Sequence, residues 1–128
     1  MNYASYWHDT APRFDGAQAG PVEGAYHVAV NGGGFTGLAA ARSLARAGAR
    51  VAVLEARHVG FGASGRNGGH LNNGMAHGYA EAKRSLGDAA ARGLYRTYDR
   101  SIDLIEAIVA EEGIDCDFGR SGKLKLAS

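Results

Sequence analysis

The chain has 128 residues, 45% hydrophobic and 21% charged, enough for about one soluble globular domain. Its formal net charge of +1 carries no electrostatic footprint for nucleic acid or an acidic membrane surface, and no run of about 18 apolar residues is available to span a bilayer. The single cysteine, Cys116, excludes an internal disulfide framework and a CxxC metal signature, and agrees with a cytoplasmic location.

In chain order, the first stretch, "MNYASYWHDTAPRFDGAQAG", is polar and aromatic. It lacks the basic then apolar pattern of a secretory signal. Residues 1–24 read as an irregular leader that packs onto a body. His27 to Val30 read as a short strand, continuously apolar as in a strand covered on both faces. Residues 35–47 read as a helix, with Leu38, Ala41, Leu44 and Ala45 at helical spacing, Arg42 and Arg46 on the wet side, and Gly48 as the stop. Val51 to Leu54 form a second apolar strand that ends at Glu55. Strand, helix, strand with short turns is a βαβ unit, which requires a parallel pair.

Residues 57–78, "RHVGFGASGRNGGHLNNGMAHG", have no usable periodicity and read as a long loop, of a length that is usually either functional or disordered. From about Asp88 to Glu112 a helix is predicted, with Tyr95, Tyr98, Ile102, Ile105 and Val109 along its inner face and Gly113 ending it. The terminal "GKLKLAS" alternates like a half-buried strand. A strand with nothing after it to pair suggests the N-terminal part of a longer protein, with residues 25–128 as its first domain segment.

Glycine is the compositional outlier, at 20 residues against 2 prolines, and crowds into residues 32–37 and 60–78. Gly32, Gly34 and Gly37 form G-x-G-x-x-G between a predicted strand and a predicted helix. The first glycine suits a tight turn, the second a close approach to a pyrophosphate, the third close packing of helix on strand. The helix N-terminus offers N–H groups and the positive end of its dipole to phosphates. Glu55, at the end of the second strand, is placed to accept hydrogen bonds from ribose hydroxyls. Asn31 is the discordant residue. A buried, unpaired amide there would cost about 1–3 kcal/mol and would weaken the first strand unless a neighbour or water bonds it.

The segments "GGGFTGLAAARSLARAGARVAVLEA" and "VGFGASGRNGG", with the leader's "SYWHDTAP", resemble the FAD-dependent amine and amino-acid oxidoreductases of the glycine oxidase and D-amino-acid oxidase type, most of all the γ-glutamylputrescine oxidase branch. The resemblance implies an α/β fold: a Rossmann-like FAD-binding βαβ unit, a Gly-rich loop, a long helix and a terminal strand, in a protein that continues beyond Ser128. It implies FAD as cofactor, an amine or amino acid as small-molecule substrate, and hydride transfer from the carbon beside nitrogen to the flavin. By the same resemblance Gly32, Gly34, Phe35 and Gly37 line the pyrophosphate, and Glu55 with Ala56 the adenosine ribose. Ala63 and Ser64 meet the phosphates again, and Arg66, Asn67, Gly68 and Gly69 pass the flavin ring. No catalytic base is implied within these residues.

Two alternatives stand beside this reading. One is an NAD(P)-dependent dehydrogenase, against which the GASGRNGG loop speaks, with Glu55 opposing a 2′-phosphate. The other is a truncated, non-catalytic dinucleotide-binding fragment. His8, His27, His58, His70 and His77 show no metal-ligand spacing and read as packing or surface residues, with His70 alone near the predicted flavin loop. Cys116 reads as a small buried hydrophobe.

Overall fold

A computed structural model describes residues 3–124. The order of elements is α1 (Tyr6–Thr10), β1 (Val28–Asn31), α2 (Phe35–Arg46), β2 (Val51–Leu54), a 3-10 turn (Ala63–Gly65), α3 (Tyr79–Leu86) and α4 (Asp88–Glu112). They divide into two compact units, one up to Gly68 and one from Gly69 onward.

In the first unit β1 and β2 pair in parallel, with Val28 opposite Val51 and Asn31 opposite Leu54. The β-branched valines of both strands favour the extended backbone, and the Ala- and Leu-rich run between them favours helix. α2 packs on both strands through its apolar side, where Ala41 is buried. Its end is closed by backbone bonds. Gly48 donates to the Ala45 carbonyl at 2.9 Å and Ala49 to the Leu44 carbonyl at 3.0 Å, the two bonds of a Schellman turn with Gly48 as the left-handed residue. His27 ties this turn to the sheet. Its N–H donates to the Arg50 carbonyl at 2.8 Å, and its Nδ1 accepts the Arg50 N–H at 2.9 Å.

Three expectations change here. β1 runs one residue later than predicted and takes in Asn31. Asn31 is exposed, so no desolvation cost arises from its amide. The strands are also not covered on both faces among the described residues: β1 alternates half-buried and exposed, and Val53 and Leu54 are 37% and 38% exposed.

The leader is not wholly irregular. Ser5 caps α1 by accepting the His8 N–H at 3.3 Å, and Thr10 Oγ1 donates to the Tyr6 carbonyl at 2.8 Å.

The second unit is a helical pair. α3 went unpredicted, although Tyr79, Ala82 and Leu86 step by three and four and Arg84 reaches Glu81 one turn back. α3 packs on α4 with Ala82 and Ala91 fully buried between them. Such small side chains let the two backbones approach closely. Asp88, opening α4, accepts Lys83 Nζ at 3.0 Å and Arg92 Nε at 2.7 Å. These two cations hold its carboxyl below the usual carboxylate range. The predicted inner stripe of α4 is half-buried, and Tyr95 meets Tyr79 and Tyr98 edge-on at 5.0 and 6.5 Å. Past Gly113, Arg120 binds back to Asp103 and Glu106 at 2.7 and 2.6 Å. Cys116 is exposed, not the buried hydrophobe expected, because the chain has left the helix face by that point. Of the predicted terminal strand, residues 122–124 carry no strand and 125–128 lie outside the described residues.

Candidate functional site

The site grows from the turn between β1 and α2. Gly32 has φ +103°, a conformation that L side chains rarely adopt, and its N–H donates to the Leu54 carbonyl at 2.7 Å. Gly34 precedes the helix; a Cβ on it would stand 2.8 Å from Ser64 Oγ. A Cβ on Gly37 would run into the Gly32 carbonyl oxygen and lie 3.3 Å from Val30 Cγ1. Backbone conformation, a neighbouring loop and a strand each exclude a side chain at one of these glycines.

Glu55 closes the turn from below. Its Oε2 accepts the Gly33 N–H at 2.8 Å and its Oε1 the Arg57 N–H at 3.0 Å. These bonds, Gly33's first, hold its carboxyl below the ordinary 4.5. A carboxylate presents about four lone-pair directions, so two backbone bonds leave acceptor capacity on both oxygens. Sequence reasoning gave Glu55 a ligand role only. In the structure it is also the staple that fixes the glycine turn to the end of β2, and no sequence pattern marks that bond.

The loop after β2 reaches the same place. Ser64 Oγ accepts the Phe35 N–H at 3.0 Å, and the Gly60 N–H donates to the Gly33 carbonyl at 3.0 Å. Ser64 thus serves one of the orphan donors of the α2 N-terminus. The Leu38 N–H returns to the Gly34 carbonyl, so Thr36 and Gly37 keep N–H groups with no acceptor inside the helix. Glycines at 32–34 leave no side chain over these donors.

The structure therefore brings Gly32, Gly34, Phe35, Gly37, Glu55 and Ser64 together. Ala63 opens the 3-10 turn beside Ser64, and Ala56 follows Glu55 as an exposed residue. Arg66 and Asn67 do other work. The Arg66 guanidinium lies 5.6 Å over the Phe61 ring, which Arg57 also covers at 4.6 Å. Asn67 Nδ2 donates to the Ser64 carbonyl at 2.6 Å. Gly68 is exposed at the end of the first unit, and Gly69 and His70 open the second, both exposed. Among the described residues no group of His, Cys, Asp and Glu could hold a metal ion, and no helix is long and apolar enough to cross a membrane.

A strand, a glycine turn, a helix and an acid at the end of the parallel neighbour are the arrangement that dinucleotide-binding folds share. The sequence profile of the FAD dependent oxidoreductase (DAO) family matches residues 27–128. The chain belongs to this family, whose cofactor is FAD. It is 38% identical over 133 residues to "Probable oxidoreductase OrdL" of Haemophilus influenzae, covering 99% of this chain and 31% of that protein. To "Gamma-glutamylputrescine oxidoreductase" of Escherichia coli it is 44% identical over 100 residues, covering 78% of this chain and 23% of that protein. A second "Probable oxidoreductase OrdL", from Rhizobium meliloti, is 38% identical over 91 residues, covering 71% and 21%. The chain thus spans less than a third of the length of these curated relatives. No solved structure matches it.

The Glu55 staple gives a pH dependence with a definite sign. A carboxyl whose folded pKa is depressed contributes stability above its unfolded pKa, and that stability is lost as pH falls through the lower folded value. The window here opens at about pH 4.5 and extends downward. Glu55→Gln keeps one acceptor but presents an NH2 donor to the second backbone N–H. Urea midpoints for the native chain and this variant should differ at pH 7 and converge as pH falls below 4.5; a gap that stays constant with pH would separate Glu55 from the acid limb.

Proposed function

We propose that this chain is the FAD-binding N-terminal portion of a cytoplasmic flavoenzyme that oxidises the C–N bond of an amine or amino acid. The observation that carries the cofactor part is the convergence of three segments, residues 32–37, Glu55 and Ser64, on the N-terminus of α2. That end supplies N–H donors and the positive end of the helix dipole, and the glycines keep it open to an anion.

In this reading the arrangement is Rossmann-like. Gly32, Gly34, Phe35 and Gly37 hold the pyrophosphate, with Ala63 and Ser64 beside it. Glu55, held ionised by its backbone donors, accepts the ribose hydroxyls on its remaining lone pairs, with Ala56 alongside. Arg66, Asn67, Gly68 and Gly69 carry the loop past the ring system. FAD, when bound, supplies the two-electron acceptor that these side chains lack. The residues of this chain bind and orient; none is assigned as a catalytic base. The choice of an amine or amino acid as the small-molecule substrate is supported by the similarity to gamma-glutamylputrescine oxidoreductase over most of the chain.

The test is the visible absorption spectrum of the purified chain with FAD, followed through gel filtration, with NAD titrated in parallel. FAD should be retained, and bound at least about tenfold more tightly than NAD, a difference of ~1.4 kcal/mol. Preference for NAD would overturn the assignment in favour of a dehydrogenase. Indifference to both would leave a fragment that binds no dinucleotide by itself.

A further inference from the structure

The leader and the loop after β2 are joined by a set of contacts that the cofactor reading does not use. Ser5 Oγ donates to the Gly65 carbonyl at 2.7 Å. Trp7 Nε1 donates to the Asn67 carbonyl at 2.8 Å. His8 Nε2 lies 3.2 Å from the Gly60 carbonyl. Sixty residues separate Ser5 from Gly65 and Trp7 from Asn67, so none of these bonds is local. All three side chains sit within four consecutive residues around the start of α1 and take backbone carbonyls, not side chains, as partners.

The contact is also shaped. Gly65 is buried, and a Cβ on it would collide with both the Gly60 carbonyl oxygen and His8 Nε2. The His8 ring meets His58 edge-on at 4.9 Å, and His58 meets Phe61 edge-on at 5.1 Å. A five-residue helix has no stability of its own in water, so α1 persists because it is docked and capped. Carbonyls that point at a donor cannot also turn freely. The Gly60 carbonyl belongs to the residue whose N–H bonds the Gly33 carbonyl of the glycine turn.

We propose that α1 is a clamp that fixes the backbone of residues 60–67, with Ser5, Trp7 and His8 as positioning residues for the loop that carries Ser64 to the α2 N-terminus. The importance of the clamp to cofactor binding rests on the FAD reading above; the clamp itself does not.

Two substitutions isolate it. Trp7→Phe keeps the aromatic body and removes the indole N–H. Ser5→Asp keeps an N-cap acceptor but replaces the hydroxyl donor with a group that only accepts. A hydrogen bond of this kind shifts a local opening equilibrium by roughly two- to tenfold. Hydrogen exchange of the full chain, read by mass spectrometry, should show the 60–67 segment exchanging about fivefold faster in each variant, with α2 and α4 unchanged. Unchanged exchange at 60–67, or acceleration throughout the chain, overturns the clamp. FAD and ADP titrations of the same proteins test the reading beneath it. If the loop borders the pyrophosphate as that reading has it, FAD affinity falls by about the same factor, and ADP affinity, which shares the pyrophosphate, falls with it. Faster loop exchange with both affinities unchanged keeps the clamp and removes the loop from the cofactor site.

Discussion

Gly37→Ala is expected to remove the cooperative unfolding transition of the first unit, or to move its urea midpoint far below that of the native chain. Two terms of opposite sign compete. Alanine in place of glycine inside a helix contributes about 1 kcal/mol in favour of the variant. Against it, the new Cβ would sit on the Gly32 carbonyl oxygen and press on Val30 Cγ1 at 3.3 Å. The obstructing atom is backbone, and it is doubly constrained. Gly32 is held by its N–H bond to the Leu54 carbonyl, and the next residue is held by Glu55. α2 must therefore lift from β1 and β2 for the methyl to fit, undoing the packing that buries Ala41. Overpacking against a rigid partner costs about 1–3 kcal/mol and sometimes more, which exceeds the propensity gain. No large side chain is fully buried among the described residues, so little stability is left in reserve. Gly93→Ala measures the propensity term by itself. Gly93 lies in α4 with open space around its Cβ direction, so that variant should be more stable by up to about 1 kcal/mol. If Gly37→Ala matches it, the close contact of helix and turn is not a constraint on this fold.

The contrast between those two glycines shows what a sequence reveals and what it hides. Both stand in helix-forming surroundings, and periodicity alone treats them alike. What separates Gly37 is its place in a pattern with Gly32 and Gly34 between two apolar runs, so the β1–α2–β2 unit was legible before any coordinates. The Gly48 stop and the inner stripe of α4 were legible for the same reason: each is a local or periodic signal. α3 carried such a signal in Tyr79, Ala82 and Leu86, but at 8 residues it is only about two turns long, and it lies unassigned between the predicted loop, which ends at residue 78, and the predicted helix from about Asp88. Burial was less legible. Continuous apolar runs imply cover on both faces of a strand, yet α2 covers one side and Val53 and Leu54 remain partly exposed. The bonds that knit the candidate site were not legible at all. Nothing in composition or spacing says that Glu55 reaches Gly33 across 22 residues, or that Trp7 donates to Asn67 across 60. Those depend on where the chain returns, which is a property of the fold.

Gly65→Ala should act through such a returning contact, with a different signature from Gly37→Ala. The added methyl meets the Gly60 carbonyl oxygen and His8 Nε2 together. The ring can swing aside; the carbonyl cannot, because the Gly60 N–H is bonded to the Gly33 carbonyl at 3.0 Å. Relief must come from undocking α1 or from displacing Gly60, and displacing Gly60 pulls on the turn that Glu55 staples. The three atoms nearest the added methyl belong to Gly60 and His8 and not to β1, β2 or α2, so the unit should still fold, with a loss of about 1–3 kcal/mol from local overpacking. Ligand affinity should suffer more than stability suggests. A displaced Ser64 leaves the Phe35 N–H, and the α2 N-terminus loses the loop that shapes it. FAD titration should read a weakening of roughly ten- to a hundredfold, equivalent to about 1.4–2.8 kcal/mol. Exchange in the 60–67 segment should rise as in Trp7→Phe, because both changes release the same clamp. Gly62→Ala is the control. It lies in the same loop, three residues before Gly65, with nothing within 4 Å of its Cβ direction. It should stay within about 0.5 kcal/mol of the native chain and bind FAD equally well. Equal losses in the two variants would mean that the loop tolerates no side chain anywhere, and that the close approach of α1 is incidental to the cofactor site. A loss confined to Gly65→Ala would make the leader a part of that site, joined to it through backbone carbonyls.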